Sequence, residues 1–131
     1  MTWPGRILVV EDDELLREAL AEVLADDGHE VHTAMNGSDA LGQLEAWEPD
    51  VIVLDLMMPI MDGFAFRQEQ RRRDLRPDVP VLVLSAVRDL EVAADRVEAA
   101  ACLAKPFRLE DVLASVAMLL DRPDAGGASV H

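Results

Sequence analysis

Five polar side chains stand where apolar runs end. Glu11 and Asp12 follow Ile-Leu-Val-Val, and Asp55 follows Val-Ile-Val-Leu. Ser85 follows Val-Leu-Val-Leu, and Lys105 follows Cys-Leu-Ala. If the runs are parallel strands, their carboxyl ends face one way and these groups share a crevice. Carboxylates crowded there repel one another, so a pKa rises or a cation binds. Mg²⁺ suits such a site, because it takes one or two carboxylates, keeps several waters and bridges to phosphate. Asp55 is the only polar residue in a long apolar stretch and can act as a nucleophile, becoming an aspartyl phosphate. Phosphoryl transfer asks mainly for positioning and charge neutralisation. Mg²⁺ and Lys105 supply the neutralisation, and the Ser85 hydroxyl reaches a phosphoryl oxygen. Asp13 and Glu14 read instead as residues of a helix N-terminus.

The elements that must position these groups follow from periodicity. Ile7 to Val10, Val51 to Leu54 and Val81 to Leu84 are short, apolar and rich in β-branched residues, which predicts strands buried on both faces. His29 to Ala34 alternates and predicts a half-buried strand, and Cys102 to Ala104 a short fifth one. Leu15, Leu16, Ala19, Leu20, Val23 and Leu24 make one helical face, stopped by Gly28. Asn36 or Ser38 caps a second helix bearing Leu41, Leu44 and Trp47, which Pro49 ends. A third helix, over Phe64 to Leu75, is polar along most of its length and is expected to be short and exposed. Leu109, Val112, Leu113, Val116 and Leu120 form the last helix. The order is β-α five times over, a doubly wound α/β domain with a five-stranded parallel sheet.

Composition narrows the function classes. The chain has 131 residues, with 12 Lys and Arg against 26 Asp and Glu, a net charge of −14. That charge repels phosphate backbones, so no direct nucleic-acid binding is expected. No apolar run reaches the roughly 20 residues of a membrane span, and MTWPGR lacks the pattern of a signal peptide. The single cysteine, Cys102, permits no internal disulfide and no multi-cysteine zinc site. A cytoplasmic protein without membrane contact is the expectation.

The segments ILVVEDDELLREAL, DVIVLDLMMPIMDG, PVLVLSA and AKPF, in this order, resemble the receiver domain of two-component response regulators. The resemblance covers residues 6 to about 120. It implies a flavodoxin-like (βα)5 fold with strand order 2-1-3-4-5, a receiver over 1–121, and a flexible tail or the start of a cut linker over 122–131. It also implies that Asp55 is the phosphoacceptor and that Mg²⁺ is the cofactor. Asp12 would be a direct metal ligand and Glu11 would act mostly through water, with the Met57 backbone carbonyl as the third protein ligand. Ser85 matches the switch hydroxyl and Lys105 the phosphate-contacting lysine, with a cis peptide before Pro106. The donor would be a sensor histidine kinase or a histidine phosphotransfer protein, and phosphorylation would switch binding of a downstream protein. The chain would be a monomer or weak dimer. It would be a phosphoacceptor that assists its own phosphorylation and dephosphorylation rather than an enzyme.

The chain departs from the family in three ways. Cys102 stands where an inward-swinging Tyr or Phe is usual, and it reads as a small buried hydrophobe. Ser85 and Lys105 are 20 apart where about two more residues are common, and Glu98-Ala99 replaces a Gly-Ala. Ser115 occupies a position where winged-helix regulators tend to carry a dimer-forming Arg. Met57 and Val87 are apolar at the two positions that influence water access to the phosphoryl group, which predicts a long-lived aspartyl phosphate. The alternative reading is a phosphorylation-independent receiver-like interaction module, favoured by the missing aromatic and opposed by the intact acids, Ser85 and Lys105. A phosphoester hydrolase ranks below both, because Met57 stands where its second Asp is needed.

Overall fold

The computed structural model describes residues 4–121. Its elements run β1 (Arg6–Val10), α1 (Glu14–Asp26), β2 (Glu30–Ala34), α2 (Gly37–Leu44) and β3 (Val51–Asp55). They continue as α3 (Gly63–Arg72), β4 (Val81–Ser85), α4 (Leu90–Arg96), β5 (Ala101–Ala104) and α5 (Leu109–Leu120). The five strands form one parallel sheet in the order β2-β1-β3-β4-β5, as the sequence implies. The tail reading for 122–131 lies outside the described residues.

β1, β3 and β4 are the three central strands, and their apolar side chains are buried on both faces. One face packs Leu8, Ile52, Leu54 and Val83 against α2, α3 and α4. The other packs Ile7, Val9, Val53 and Leu82 against α1 and α5. Side chains alternate across a strand, so a continuous apolar run is what a strand between two helical layers requires. The edge strands β2 and β5 are less buried, in keeping with their weaker patterns.

Local signals fix the helix ends. Asp13, Asn36 and Asp62 each accept a hydrogen bond from the backbone N–H three residues on, as N-caps do. Gly28, at φ +99, follows the end of α1 in the left-handed conformation that glycine takes without penalty. Replacing Asn36 with Ala is expected to cost about 1 kcal/mol, measured by urea unfolding. An unchanged midpoint would mean that the cap contributes nothing.

Three helical expectations need correction. The apolar face of α1 predicts a buried Leu15, but it lies in the first turn and is 80% exposed, while Leu20 and Leu24 further along are buried. Trp47 lies beyond α2, which stops at Leu44, well short of Pro49. Its ring stacks on His32 of β2 at 3.7 Å between centroids. α3 ends at Arg72 rather than Leu75 and is not exposed throughout, since Arg67 and Gln70 are buried. They are buried because they are satisfied. Arg67 Nε donates to the Val97 carbonyl at 2.8 Å and its Nη1 to Gln70 Oε1 at 2.6 Å. Gln70 Nε2 donates to the Arg76 carbonyl at 2.9 Å.

Candidate functional site

The sheet registers set the site. Val10 pairs with Leu54, so Glu11 leaves β1 beside Asp55, the last residue of β3. Asp55 pairs with Leu84 and Ser85 with Ala104, which brings Ser85 and Lys105 to the same edge. This is the carboxyl edge, where doubly wound sheets bind ligands. Glu11, Asp12 and Asp55 each present a carboxylate oxygen, all within 4.8 Å of one another. Lys105 Nζ lies 3.0 Å from Glu11 Oε1 and 3.4 Å from Asp55 Oδ2.

The backbone holds these groups in place. The Glu11 N–H donates to the Ala34 carbonyl at 3.0 Å, tying the end of β1 to β2. Glu11 Oε2 accepts from the Asp13 N–H, and Asp55 Oδ1 from the Met57 N–H. The Lys105 N–H donates to the Ser85 carbonyl at 2.9 Å, and the Lys105–Pro106 peptide is cis, as the resemblance implies. Ser85 is buried, and its Oγ accepts from the Val87 N–H at 3.4 Å.

Three carboxylates face one ammonium here. Burial pushes the Asp55 carboxyl above its usual range, and the Asp12 charge adds to this. Lys105 and the Met57 N–H offset only part of the rise. Burial likewise raises Glu11, with the Asp55 charge adding, against the Asp13 N–H and Lys105. Burial alone would lower the Lys105 ammonium, but the Glu11 hydrogen bond and the Asp55 charge outweigh it, so its pKa is raised. The cluster has more negative charge than Lys105 neutralises. An oxygen-rich, anionic cluster of this kind fits a hard divalent cation such as Mg²⁺.

A stability consequence follows. Carboxyls whose folded pKa is raised make the folded state bind more protons than the unfolded chain. The contribution of Glu11 and Asp55 to metal-free stability is then greatest below the unfolded carboxylate pKa, and it falls as pH rises through the raised folded values. Asp55→Asn is therefore expected to stabilise the metal-free protein at neutral pH by on the order of 1 kcal/mol. Thermal melts with a chelator check this, and a lower melting temperature for the variant would contradict it.

Cys102 pairs in register with Val83 and packs, partly buried, against the α2–α3–α4 core. Burial and then the Glu91 and Asp95 charges raise its thiol pKa, so it is a packing residue rather than a reactive thiolate. Two contributors carry no sequence signal of their own. Arg17 Nη1 donates to the Glu11 carbonyl at 2.9 Å and reaches the Asp12 carbonyl at 3.3 Å, steadying the acidic pair from α1. Gly63 donates its N–H to the Leu56 carbonyl at 2.9 Å and closes the β3–α3 loop that carries Met57.

Comparison with known proteins identifies the family and the fold. A family model described as response regulator receiver domain matches residues 7–117. Response regulator MprA of Mycolicibacterium vanbaalenii is 40% identical over 127 residues, covering 94% of this chain and 54% of the relative. MprA of Mycobacterium avium is 40% identical over 119 residues, covering 89% of this chain and 51% of the relative. This chain thus spans about half the length of these curated relatives. Among solved structures, chemotaxis response regulator CheY4 of Vibrio cholerae superposes with a TM-score of 0.81 at 31% identity, over 89% of this chain and 99% of that one. The receiver domain of Francisella response regulator 1452 gives 0.81 at 28% identity, over 90% and 98%.

Proposed function

The chain belongs to the response regulator receiver family, and on that premise we propose that Asp55 accepts a phosphoryl group from a phosphohistidine. The donor is a sensor histidine kinase or a histidine phosphotransfer protein. One Asp55 carboxylate oxygen forms the new P–O bond as the P–N bond to the donor imidazole breaks. The observation that carries this reading is the charge imbalance at the sheet edge. Three convergent carboxylates meet one ammonium, with the nucleophilic candidate buried among them.

Asp12, Asp55 and the Met57 carbonyl would hold Mg²⁺, with Glu11 acting through water. The ion, when bound, neutralises charge on the transferring phosphoryl oxygens. Lys105 pairs with a phosphoryl oxygen, and the Ser85 hydroxyl turns from the Val87 N–H to donate to another. Movement of Ser85 then biases the surface seen by a downstream protein partner, and the shift is limited by how much better the phosphoryl group suits one state. The receiver unit is residues 1–121, with 122–131 a tail or linker. It works as a cytoplasmic monomer or weak dimer without binding nucleic acid itself.

A second reading, a phosphorylation-independent interaction module, is favoured by Cys102 in the place of the usual aromatic. Intact mass after treatment with acetyl phosphate separates the two. The phosphoacceptor reading expects an added phosphoryl group with Mg²⁺ and none with a chelator. No addition under either condition would leave the interaction module. The apolar side chains of Met57 and Val87 cannot orient an attacking water, so the modified protein is expected to persist for many minutes or longer. Half-loss within seconds in a phosphate-release assay would contradict this.

A further inference from the structure

A groove away from the carboxyl edge lies between α3 and α4. It has a volume of about 820 Å³ and is lined by Phe64, Arg67, Arg71, Arg72, Arg96 and Val97 among others. Four guanidinium groups in one groove are unexpected in a chain of net charge −14. Asp62 is the only carboxylate on the groove wall, and its Oδ1 is engaged by the Ala65 N–H at 2.9 Å.

The arginines divide into two kinds. Arg72 is paired with Glu69 at 2.8 Å and Arg71 with Glu98 at 3.0 Å. Arg67 and Arg96 are in no ion pair among the described residues. Both are nevertheless held. Arg67 is buried and fixed by the Val97 carbonyl and Gln70 Oε1, and Arg96 lies over the Phe64 ring at 4.3 Å from its centroid. Burial, with the Arg71 charge adding, pushes the Arg67 pKa down to about 10. Positive charge is therefore held on both walls of the groove, at Arg96 on an exposed position and at Arg67, which is buried with its Nε and Nη1 engaged and feels the Glu98 charge. The cost of ordering these side chains is already met in the fold.

We propose that the α3–α4 groove binds a small organic phosphate. Two guanidinium groups on opposite walls suit the three oxygens of a phosphate, whereas a carboxylate fills a single fork. Phe64 offers apolar surface to the rest of the ligand, and the volume lies in the range of small-molecule sites. The size of the ligand follows from electrostatics. Screening confines the arginines' influence to about 8–10 Å. A nucleic acid or an acidic protein extends beyond that distance and meets the negative field of the whole chain. A small anion does not.

The test uses AMP, adenosine and inorganic phosphate as probes, without divalent cations, followed by backbone amide NMR shifts. The proposal expects saturable AMP shifts at Phe64 and Val97 and none with adenosine. Arg96→Gln, at an exposed position, should weaken AMP by at least about tenfold. Lys105→Ala should leave AMP binding unchanged. Arg71→Gln serves as a second variant if Arg96→Gln alters folding. Three results would overturn the proposal: no saturable shift at millimolar AMP, equal affinity in Arg96→Gln, or loss of binding in Lys105→Ala. Inorganic phosphate binding as tightly as AMP would overturn the organic part of it.

Discussion

Gly63→Ala is expected to be the most damaging conservative substitution in the protein, costing about 3 kcal/mol or more. A Cβ at this position would lie 2.8 Å from the Asp55 carbonyl oxygen and 2.8 Å from the Leu56 Cα. Both atoms are backbone, and they cannot yield without moving the end of β3. The same substitution at Gly42 makes the comparison. That residue is in α2, and a Cβ there meets nothing within 4 Å. Gly42→Ala should stabilise by roughly 0.5–1 kcal/mol, because glycine weakens a helix interior. The two changes are chemically identical and opposite in expected sign. Urea unfolding of both variants checks the pair, and a Gly63→Ala midpoint near wild type would mean the loop has freedom that its contacts deny. The Gly63→Ala protein should also phosphorylate poorly, since the loop that presents Met57 starts from the displaced strand end.

Lys105→Ala is expected to slow phosphorylation by a small-molecule donor about 10²- to 10³-fold, the effect typical of removing a preorganised charge from a reacting oxyanion. Mg²⁺ affinity should not fall with it. The ammonium lies 3.0 Å from Glu11 Oε1 and 3.4 Å from Asp55 Oδ2, so its removal leaves the carboxylate cluster more negative and no less attractive to a cation. Measuring both quantities on one variant separates the roles of lysine and metal. A wild-type rate would remove Lys105 from the chemistry. A rate loss matched by lost Mg²⁺ affinity would make the lysine a structural support for the metal site.

The sheet was legible because burial on both faces leaves a mark on sequence. β1, β3 and β4 lie between two helical layers, so Ile7 to Val10, Val51 to Leu54 and Val81 to Leu84 are all apolar and the runs stand out. The site was legible for the same reason. A polar residue that ends such a run must sit at the sheet's edge, and parallel strands bring all such edges together. α3 is harder to read, because Arg67 and Gln70 look like solvent-facing residues. Their burial depends on the carbonyl of Val97, just past α4, and on that of Arg76, partners that no periodicity reveals. The spacing of Trp47 suits α2, but its ring stacks on His32 of β2. Arg17 and Gly63 escaped notice because both act through backbone carbonyls, and side-chain patterns carry no record of these.

The proposed phosphoryl site and the α3–α4 groove divide the electrostatics of the molecule. The chain is strongly acidic, and three of its carboxylates converge at the sheet edge, where only Lys105 answers them. Seven of its arginines fall between Arg67 and Arg96, in α3, α4 and the loops on either side of β4. One pole suits a cation and the other an anion. The net charge alone reports neither.

If Asp55 is the phosphoacceptor, reductive trapping identifies it directly. The protein is treated with acetyl phosphate and Mg²⁺, reduced with borohydride, and mapped by peptide mass spectrometry. Reduction should convert residue 55, and only residue 55, from aspartate to homoserine, with no conversion in a sample treated with chelator. Conversion at another carboxylate, or none in protein that carries an added phosphoryl group, would contradict it.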